Sequence, residues 1–139
     1  MTSFGTVENK ISSIKAYFKI VKKLRKFSKE QVKNDEMVRA AVERYLYLIC
    51  QSAIDLADMI ISLKKGRKPI DQKDSFIILV EDRIISESMS KPLTKMVGFR
   101  NILAHEYAKI DYSEVYDILH NQIEDISKFV IVIEKKILK

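Results

Sequence analysis

An arginine, a histidine and a tyrosine lie close together in the stretch GFRNILAHEY, which covers residues 98–107. Histidine titrates near neutrality and can act as an acid or as a base. Arginine stays charged and can hold phosphate oxygens through two parallel hydrogen bonds. A helix that buries such side chains must give each polar group a hydrogen-bond partner, so three of them rarely lie together in an apolar helix without a reason. Arg100, His105 and Tyr107 are therefore a candidate site.

The apolar pattern around these residues is typical of a helix. At about 100° per residue, His105 lies about 140° from Arg100, and Tyr107 lies only about 20° from it. One uninterrupted helix would therefore hold Arg100 and His105 apart, so we expect either unwinding near residues 104–105 or a symmetric dimer that brings two motifs together. Arg100 falls in the middle of an apolar side that also carries Leu93, Met96, Val97, Leu103 and Ala104.

Each of these side chains also has an ordinary structural explanation. Arg100 needs an anionic partner, which is either a phosphate or a core carboxylate. His105 could be a satisfied surface or core histidine, and Tyr107 a core-edge aromatic residue whose hydroxyl reaches water. The candidate core partners for the arginine are Glu43, Asp55 and Glu81.

Helical periodicity runs through nearly all of the chain, and only three glycines and two prolines interrupt it. So few breakers disfavour a hairpin-rich β fold and favour a few long helices. Ser28 and Gln31 predict a capping box at a new helix start, Pro92 is expected in a first turn, and GRKPIDQKD is the clearest loop. The predicted helices run from about Thr6 to Phe27, from about Asp35 to Lys65, from Asp74 or Ser75 through SFIILVEDRIIS, from Ser90 or Pro92 to Tyr107, and from about Ser113 to the end.

Composition indicates a single globular domain. Of the 139 residues, 47% are hydrophobic and 32% are charged, which is enough apolar material for a core without disulfides or metal. The single cysteine, Cys50, is interpreted as a small core residue rather than a reactive thiol. With no acidic or His/Cys cluster at ligand spacing and no glycine-rich phosphate loop, we expect no metal, no cofactor and no ATP hydrolysis.

The formal net charge of +6 would suit an anionic partner such as RNA. The basic clusters KIVKKLRKF, KKGRK and EKKILK are otherwise solvated helix faces, and an amphipathic membrane-surface helix is a weaker interpretation of the first. The sequence has no recognisable export signal, and its longest apolar run is shorter than a membrane span. We therefore expect a cytoplasmic protein without a membrane partner.

The spacing of the cluster resembles a known motif. RNILAHEY is similar to the R-x4-H-x-Y motif of the HepT family, a branch of the all-helical HEPN superfamily, with Arg100, Asn101, His105 and Tyr107 at the matching positions. The likeness extends to AAVERYLYLICQSAIDLAD and to MVGFRNILAHEYAKIDYSEVYDIL, and it covers roughly residues 5–135. It implies an all-α fold, a HEPN-type antiparallel bundle of about five helices, with one domain over residues 1–139 that forms a homodimer.

The resemblance also implies a metal-independent endoribonuclease. In such an enzyme the 2′-hydroxyl of RNA attacks the adjacent phosphate, which requires proton transfer and a cation that stabilises the phosphorane. By the family pattern, the catalytic residues would be His105, which transfers protons, and Arg100, which binds the phosphate. Asn101 would be a supporting residue that orients one of them. The active cleft would be composite, built from the motifs of both protomers.

HepT toxins typically pair with a minimal nucleotidyltransferase antitoxin, MntA, which transfers AMP to the motif tyrosine. The resemblance thus implies such a partner here, with Tyr107 as the AMPylation site. An attached nucleotide would block the groove and repel an RNA phosphate. Two alternatives stay open: a non-catalytic module that binds a nucleotide or docks a nucleotidyltransferase, and a structural helical dimer in which Arg100 is an internal ion-pair residue.

Overall fold

The computed structural model describes residues 2–138, and within this range every regular element is helical. The predicted all-α class is confirmed. The five predicted helices are all present, but a short additional helix follows the first, and the last helix is divided. The elements are α1 Phe4–Leu24, α2 Lys29–Asn34, α3 Glu36–Leu63, α4 Gln72–Glu81, α5 Glu87–His105, a 3₁₀ turn Tyr107–Lys109, α6 Tyr112–Asp117, a π-helical turn Ile118–Gln122 and α7 Glu124–Lys136.

Helix α3 is the centre of the bundle, because α1, α2, α4 and α5 all pack against it. It is long and apolar enough to cross a membrane by length and composition, but 56% of its most apolar window is buried inside the bundle. Its inward side chains form the core together with the apolar faces of the neighbouring helices. The fully covered members on α3 include Val42, Leu46, Ile49, Leu56, Ala57 and Ile60.

Side-chain caps fix where the helices begin. The predicted capping box is present, since Ser28 Oγ accepts from the Gln31 amide and Gln31 Oε1 accepts from the Ser28 amide. The predicted start of the fourth helix is wrong: α5 begins at Glu87 because Ser86 Oγ accepts from the Met89 amide. Pro92 consequently lies in the second turn rather than the first.

The loop before α4 is shorter than predicted. Asp71 caps this helix by accepting from the Asp74 amide, so the helix begins at Gln72 and not at residue 74 or 75. Asp74 instead receives two hydrogen bonds of 2.7 and 2.9 Å from Arg67. That contact holds the pKa of Asp74 at about 2 and closes the loop onto α4.

Two predicted helices end or continue differently in the structure. Helix α5 stops at His105, because Glu106 leaves helical geometry with φ −126° and ψ 52°. Tyr107 therefore lies on a separate 3₁₀ turn, and its predicted place 20° from Arg100 on the same helix is wrong. The last predicted helix is interrupted by the π-helical turn, where the Leu119 carbonyl accepts a 2.8 Å hydrogen bond from Arg25 Nε.

Candidate functional site

The guanidinium of Arg100 is half-buried and is held by three neutral groups. Its Nε donates to Gln51 Oε1 at 2.6 Å and its Nη2 to the Tyr47 hydroxyl at 3.2 Å, both on α3. Its Nη1 donates to Asn101 Oδ1 at 3.0 Å. The guanidinium carbon also lies 5.1 Å from the centroid of the Tyr47 ring. These contacts fix the orientation of the guanidinium without neutralising its charge.

Within residues 2–138 no carboxylate forms an ion pair with Arg100, so the internal ion pair considered from the sequence is wrong. The three candidate acids are engaged elsewhere. Asp55 binds Lys10 and Gln51, Glu81 binds Arg67, and Glu43 binds two tyrosines. A guanidinium has five N–H donors, and three of those on Arg100 are used. The remaining two, together with the positive charge, are available to an external anion.

The partners of Arg100 on α3 are themselves positioned. Gln51 Nε2 donates to Asp55 Oδ1 at 2.8 Å, which leaves its Oε1 free to accept from Arg100. The residues Tyr47, Gln51 and Asp55 are spaced four apart on α3 and so share one side of the helix. The sequence interpretation missed Tyr47 and Gln51. The four-residue spacing of Tyr47 and Gln51 indicates that both lie on one side of α3. It does not indicate that this side contacts Arg100, which lies about fifty residues later in the chain.

Asn101 lies next to Arg100 on α5, and its side-chain oxygen accepts from the arginine. It is half-buried, as is Arg100. The structure thus gives Asn101 a direct contact with the guanidinium, and its expected supporting role in a reaction stays a prediction.

His105 is the last residue of α5 and is exposed, and its imidazole forms no hydrogen bond or ion pair with the residues that the structure describes. Helical geometry continues through it, so the helix does not unwind early enough to turn it toward Arg100. His105 follows Arg100 by five positions on the helix, so the two side chains leave it about 140° apart. One protomer therefore does not bring them together. On the predicted apolar side, Leu93, Met96 and Val97 are buried, whereas Ala104 is exposed, contrary to expectation.

Tyr107 presents its ring to solvent, with 62% of the residue exposed. Its hydroxyl does not simply reach water, as the sequence suggested, but donates to Glu43 Oε2 at 2.6 Å. The other oxygen of Glu43 accepts from the Tyr112 hydroxyl at 2.8 Å. Glu43 is only 8% exposed, so a buried carboxylate joins both tyrosines to α3. The sequence interpretation had proposed Glu43 only as a partner for Arg100.

These contacts change the acidity of both phenols. The hydrogen bond to Glu43, followed by burial, raises the pKa of Tyr107. Burial, followed by the hydrogen bond to Glu43, raises the pKa of Tyr112 to about 12. Both phenols are therefore neutral donors at physiological pH. Burial likewise raises the pKa of Cys50 to about 12, and the prediction that this cysteine is a core residue is confirmed.

No group of three or more His, Cys, Asp or Glu side chains within residues 2–138 is placed to hold a metal ion. The groups near Arg100 are an amide, a phenol and a second amide, which are hydrogen-bonding rather than metal-binding in this arrangement. The arrangement around Arg100 is therefore suited to binding an anion, and the exposed imidazole of His105 lies on a different side of α5 in the same protomer.

Comparison with known proteins gives the family of the chain. The model of the family described as ribonuclease HepT-like matches residues 13–133. The chain is 31% identical over 126 residues to the mRNA nuclease HepT of Shewanella oneidensis, covering 91% of this chain and 94% of the relative. It is 32% identical over 110 residues to the tRNA nuclease HepT of Aphanizomenon flos-aquae, covering 79% of this chain and 75% of that one.

A solved structure agrees with these sequence relatives. The tri-AMPylated HEPN toxin of Shewanella oneidensis, in complex with MNT antitoxin, superposes with a TM-score of 0.86 at 30% identity, over 94% of this chain and 97% of the toxin. The helical fold and the family model thus lead to the same assignment. On this evidence the chain belongs to the ribonuclease HepT-like family of HEPN domains.

Proposed function

We propose that this protein is a metal-independent endoribonuclease and the toxin of a toxin–antitoxin pair, acting as a single domain in the cytoplasm. The observation that carries the proposal is the state of Arg100: three neutral groups aim the guanidinium, no carboxylate of residues 2–138 pairs with it, and two of its N–H groups stay free. Such an arginine is organised for an anion that comes from outside the protein, and a phosphate matches its fork of donors.

The proposed reaction uses the 2′-hydroxyl of RNA as the nucleophile. Its oxygen forms a bond to the adjacent phosphorus while the bond from phosphorus to the 5′-oxygen of the next nucleotide breaks. His105 takes and gives the protons, Arg100 stabilises the negative phosphorane, and Asn101 keeps the guanidinium oriented. The products are a 2′,3′-cyclic phosphate and a free 5′-hydroxyl.

We further propose that the active cleft is built by two protomers. Arg100 and His105 diverge on one continuous helix, so their convergence on one phosphate requires a second copy of the chain. A two-fold axis would place both motifs along one cleft. Each chain also contributes a formal charge of +6, which favours association with RNA.

Regulation by nucleotide transfer to Tyr107 is the third element of the proposal. The toxin relative from Shewanella oneidensis is tri-AMPylated and bound to an MNT antitoxin, and a minimal nucleotidyltransferase of the MntA type is the partner proposed for this chain. Tyr107 occupies the motif position and presents an exposed ring. A nucleotide attached there would place negative charge two residues from His105.

Substitution of the two catalytic residues tests the proposal. Arg100→Ala is expected to lower kcat about 10²–10³-fold, the usual loss for a donor that stabilises transition-state charge. His105→Ala is expected to lower it about 10²–10⁴-fold. Lys68→Ala, which removes an exposed charge from the loop beyond α3, is the control and should cleave RNA like the wild type.

The dimer is tested by mixing subunits. Arg100→Ala and His105→Ala chains, each inactive alone, are co-expressed with different tags, and the mixed dimer is isolated. A composite cleft predicts that the mixed dimer recovers part of the RNA cleavage. A mixed dimer as inactive as its parents would exclude a cleft shared in this way.

A further inference from the structure

The ring of Tyr47 has two cations beside it. The guanidinium carbon of Arg100 lies 5.1 Å from the ring centroid, and that of Arg44 lies 5.9 Å from it. Both distances are within the range of a cation–π contact. Arg44 therefore belongs to the same surface as the candidate site, although it is not part of the sequence motif.

Helical spacing explains how Arg44 reaches this surface. Arg44, Tyr47 and Gln51 follow one another at intervals of three and four residues on α3, so they form one row along the helix. Tyr47 and Gln51 are the two residues of this helix that bind Arg100. Arg44 extends the row by about one turn beyond the fixed guanidinium.

The charge of Arg44 is neither neutralised nor buried by the residues that the structure describes. It is exposed, and it forms no ion pair and no side-chain hydrogen bond within residues 2–138. The acid that precedes it, Glu43, is buried and faces the two tyrosine hydroxyls. Two like charges thus share one ring with no carboxylate paired to either, an arrangement that an anion placed along the row would stabilise.

The charge pattern of a nucleic acid strand fits this arrangement, because each nucleotide contributes one phosphate. An arginine that flanks the scissile position can bind a neighbouring phosphate without taking part in the reaction. We propose that Arg44 binds a second RNA phosphate beside the one held by Arg100, with Tyr47 as the spacer that fixes the two guanidiniums. The proposal rests on the ribonuclease function proposed above and adds an RNA-binding residue to it.

Binding and catalysis respond differently to the loss of such a residue. A phosphate contact made equally in the ground state and in the transition state changes KM and leaves kcat unaltered. Removal of one phosphate-binding side chain also reduces the slope of log affinity against log salt concentration by about one. The Arg44→Ala variant should therefore show a KM raised roughly five- to tenfold, an unchanged kcat and a shallower salt dependence.

The experiment uses the full-length protein and two probes. Binding is measured with a short, fluorescently labelled single-stranded RNA that is 2′-O-methylated throughout, since this modification removes the nucleophile and prevents cleavage. Steady-state cleavage is measured with the unmethylated RNA. Lys68→Ala is the matched control, because it removes one exposed charge from the loop beyond the far end of α3, and that helix continues for about 28 Å past Arg44. Arg44→Lys keeps the charge and is expected to recover most of the affinity.

The outcomes separate this inference from the proposed function. If the wild type neither binds nor cleaves RNA, the proposed function fails and the inference fails with it. If the wild type cleaves RNA but Arg44→Ala matches it in KM and salt dependence, only the inference is overturned. Equal reductions of affinity in Arg44→Ala and Lys68→Ala would overturn it too, because they would indicate a general effect of net charge. A reduction confined to kcat would overturn phosphate binding as the role of Arg44.

Discussion

The hydroxyl of Tyr107 donates a 2.6 Å hydrogen bond to the buried carboxylate of Glu43, 64 residues earlier in the chain. The same carboxylate accepts from Tyr112, so the segment that follows α5 is attached to α3 at two points. AMP attached to the Tyr107 oxygen would remove one donor and place a phosphodiester beside a carboxylate. Under the proposed regulation, modification would thus add charge near His105 and remove one of the two attachments of this segment.

Substitution of Glu43 tests how much the attachment contributes to stability. Glu43→Gln keeps the shape but replaces two hydrogen bonds to a charged acceptor with weaker neutral ones, so we expect a decrease of about 1–2 kcal/mol in the free energy of unfolding. Urea denaturation monitored by circular dichroism measures it. Tyr107→Phe removes one of the two bonds outright and is expected to destabilise the protein by a similar amount. An unchanged midpoint for Glu43→Gln would contradict the contact.

The tyrosine pKa values predict a decrease in stability at high pH. The pKa of Tyr112 is raised from 10.0 to about 12, so the folded state favours the neutral phenol. This contribution is fully present below pH 10 and disappears as the pH rises from 10 toward 12. Absorbance of the phenolate should show at least one tyrosine that titrates near pH 12 in the wild type and at lower pH in Glu43→Gln. Identical titration curves would exclude the role of Glu43.

Arg100 should be removable without unfolding the protein. Its partners Tyr47, Gln51 and Asn101 are neutral, so neither Arg100→Ala nor Arg100→Met leaves a buried charge unpaired. We expect each variant to be destabilised by about 1–2 kcal/mol, from hydrogen bonds and packing, rather than by the roughly 3–5 kcal/mol that follows when a buried ion pair is broken. Thermal denaturation measures both. A decrease near the larger figure would indicate a carboxylate partner.

Gly98 lies inside α5, where glycine destabilises a helix relative to alanine. A Cβ built at this position meets no atom within 4 Å. Gly98→Ala should therefore stabilise the protomer by about 0.5–1 kcal/mol through the lower backbone entropy of the unfolded chain. Thermal denaturation at several protein concentrations checks this. Destabilisation that grows with concentration would indicate that a second copy approaches the glycine in the dimer.

The sequence predicted the fold better than the site geometry, because periodicity is a local signal. The apolar spacing of α1 and α3 and the capping box at Ser28 are readable within a single helix, and the structure confirms them. The predicted start of α5 was wrong because Pro92 was interpreted as a first-turn residue. The actual N-cap, Ser86, lies six residues before Pro92, which is more than one helical turn.

The environment of Arg100 could not be read locally. Its contacts with Gln51 and Tyr47 span 49 and 53 residues, and they depend on how α5 packs against α3. Helical spacing correctly indicated that Arg100 points toward the bundle and needs partners, but it favoured an acid over an amide and a phenol. Spacing also predicted the divergence of Arg100 and His105, since that angle depends only on helix geometry.

The chemical nature of the cut RNA ends tests the proposed reaction most directly. Purified wild-type protein is incubated with RNA in excess EDTA, and the fragments are analysed by mass spectrometry. We expect fragments that end in a 2′,3′-cyclic phosphate, formed by the wild type and by neither Arg100→Ala nor His105→Ala. Fragments with a 3′-hydroxyl, cleavage that stops in EDTA, or cleavage that persists in both variants would contradict the mechanism.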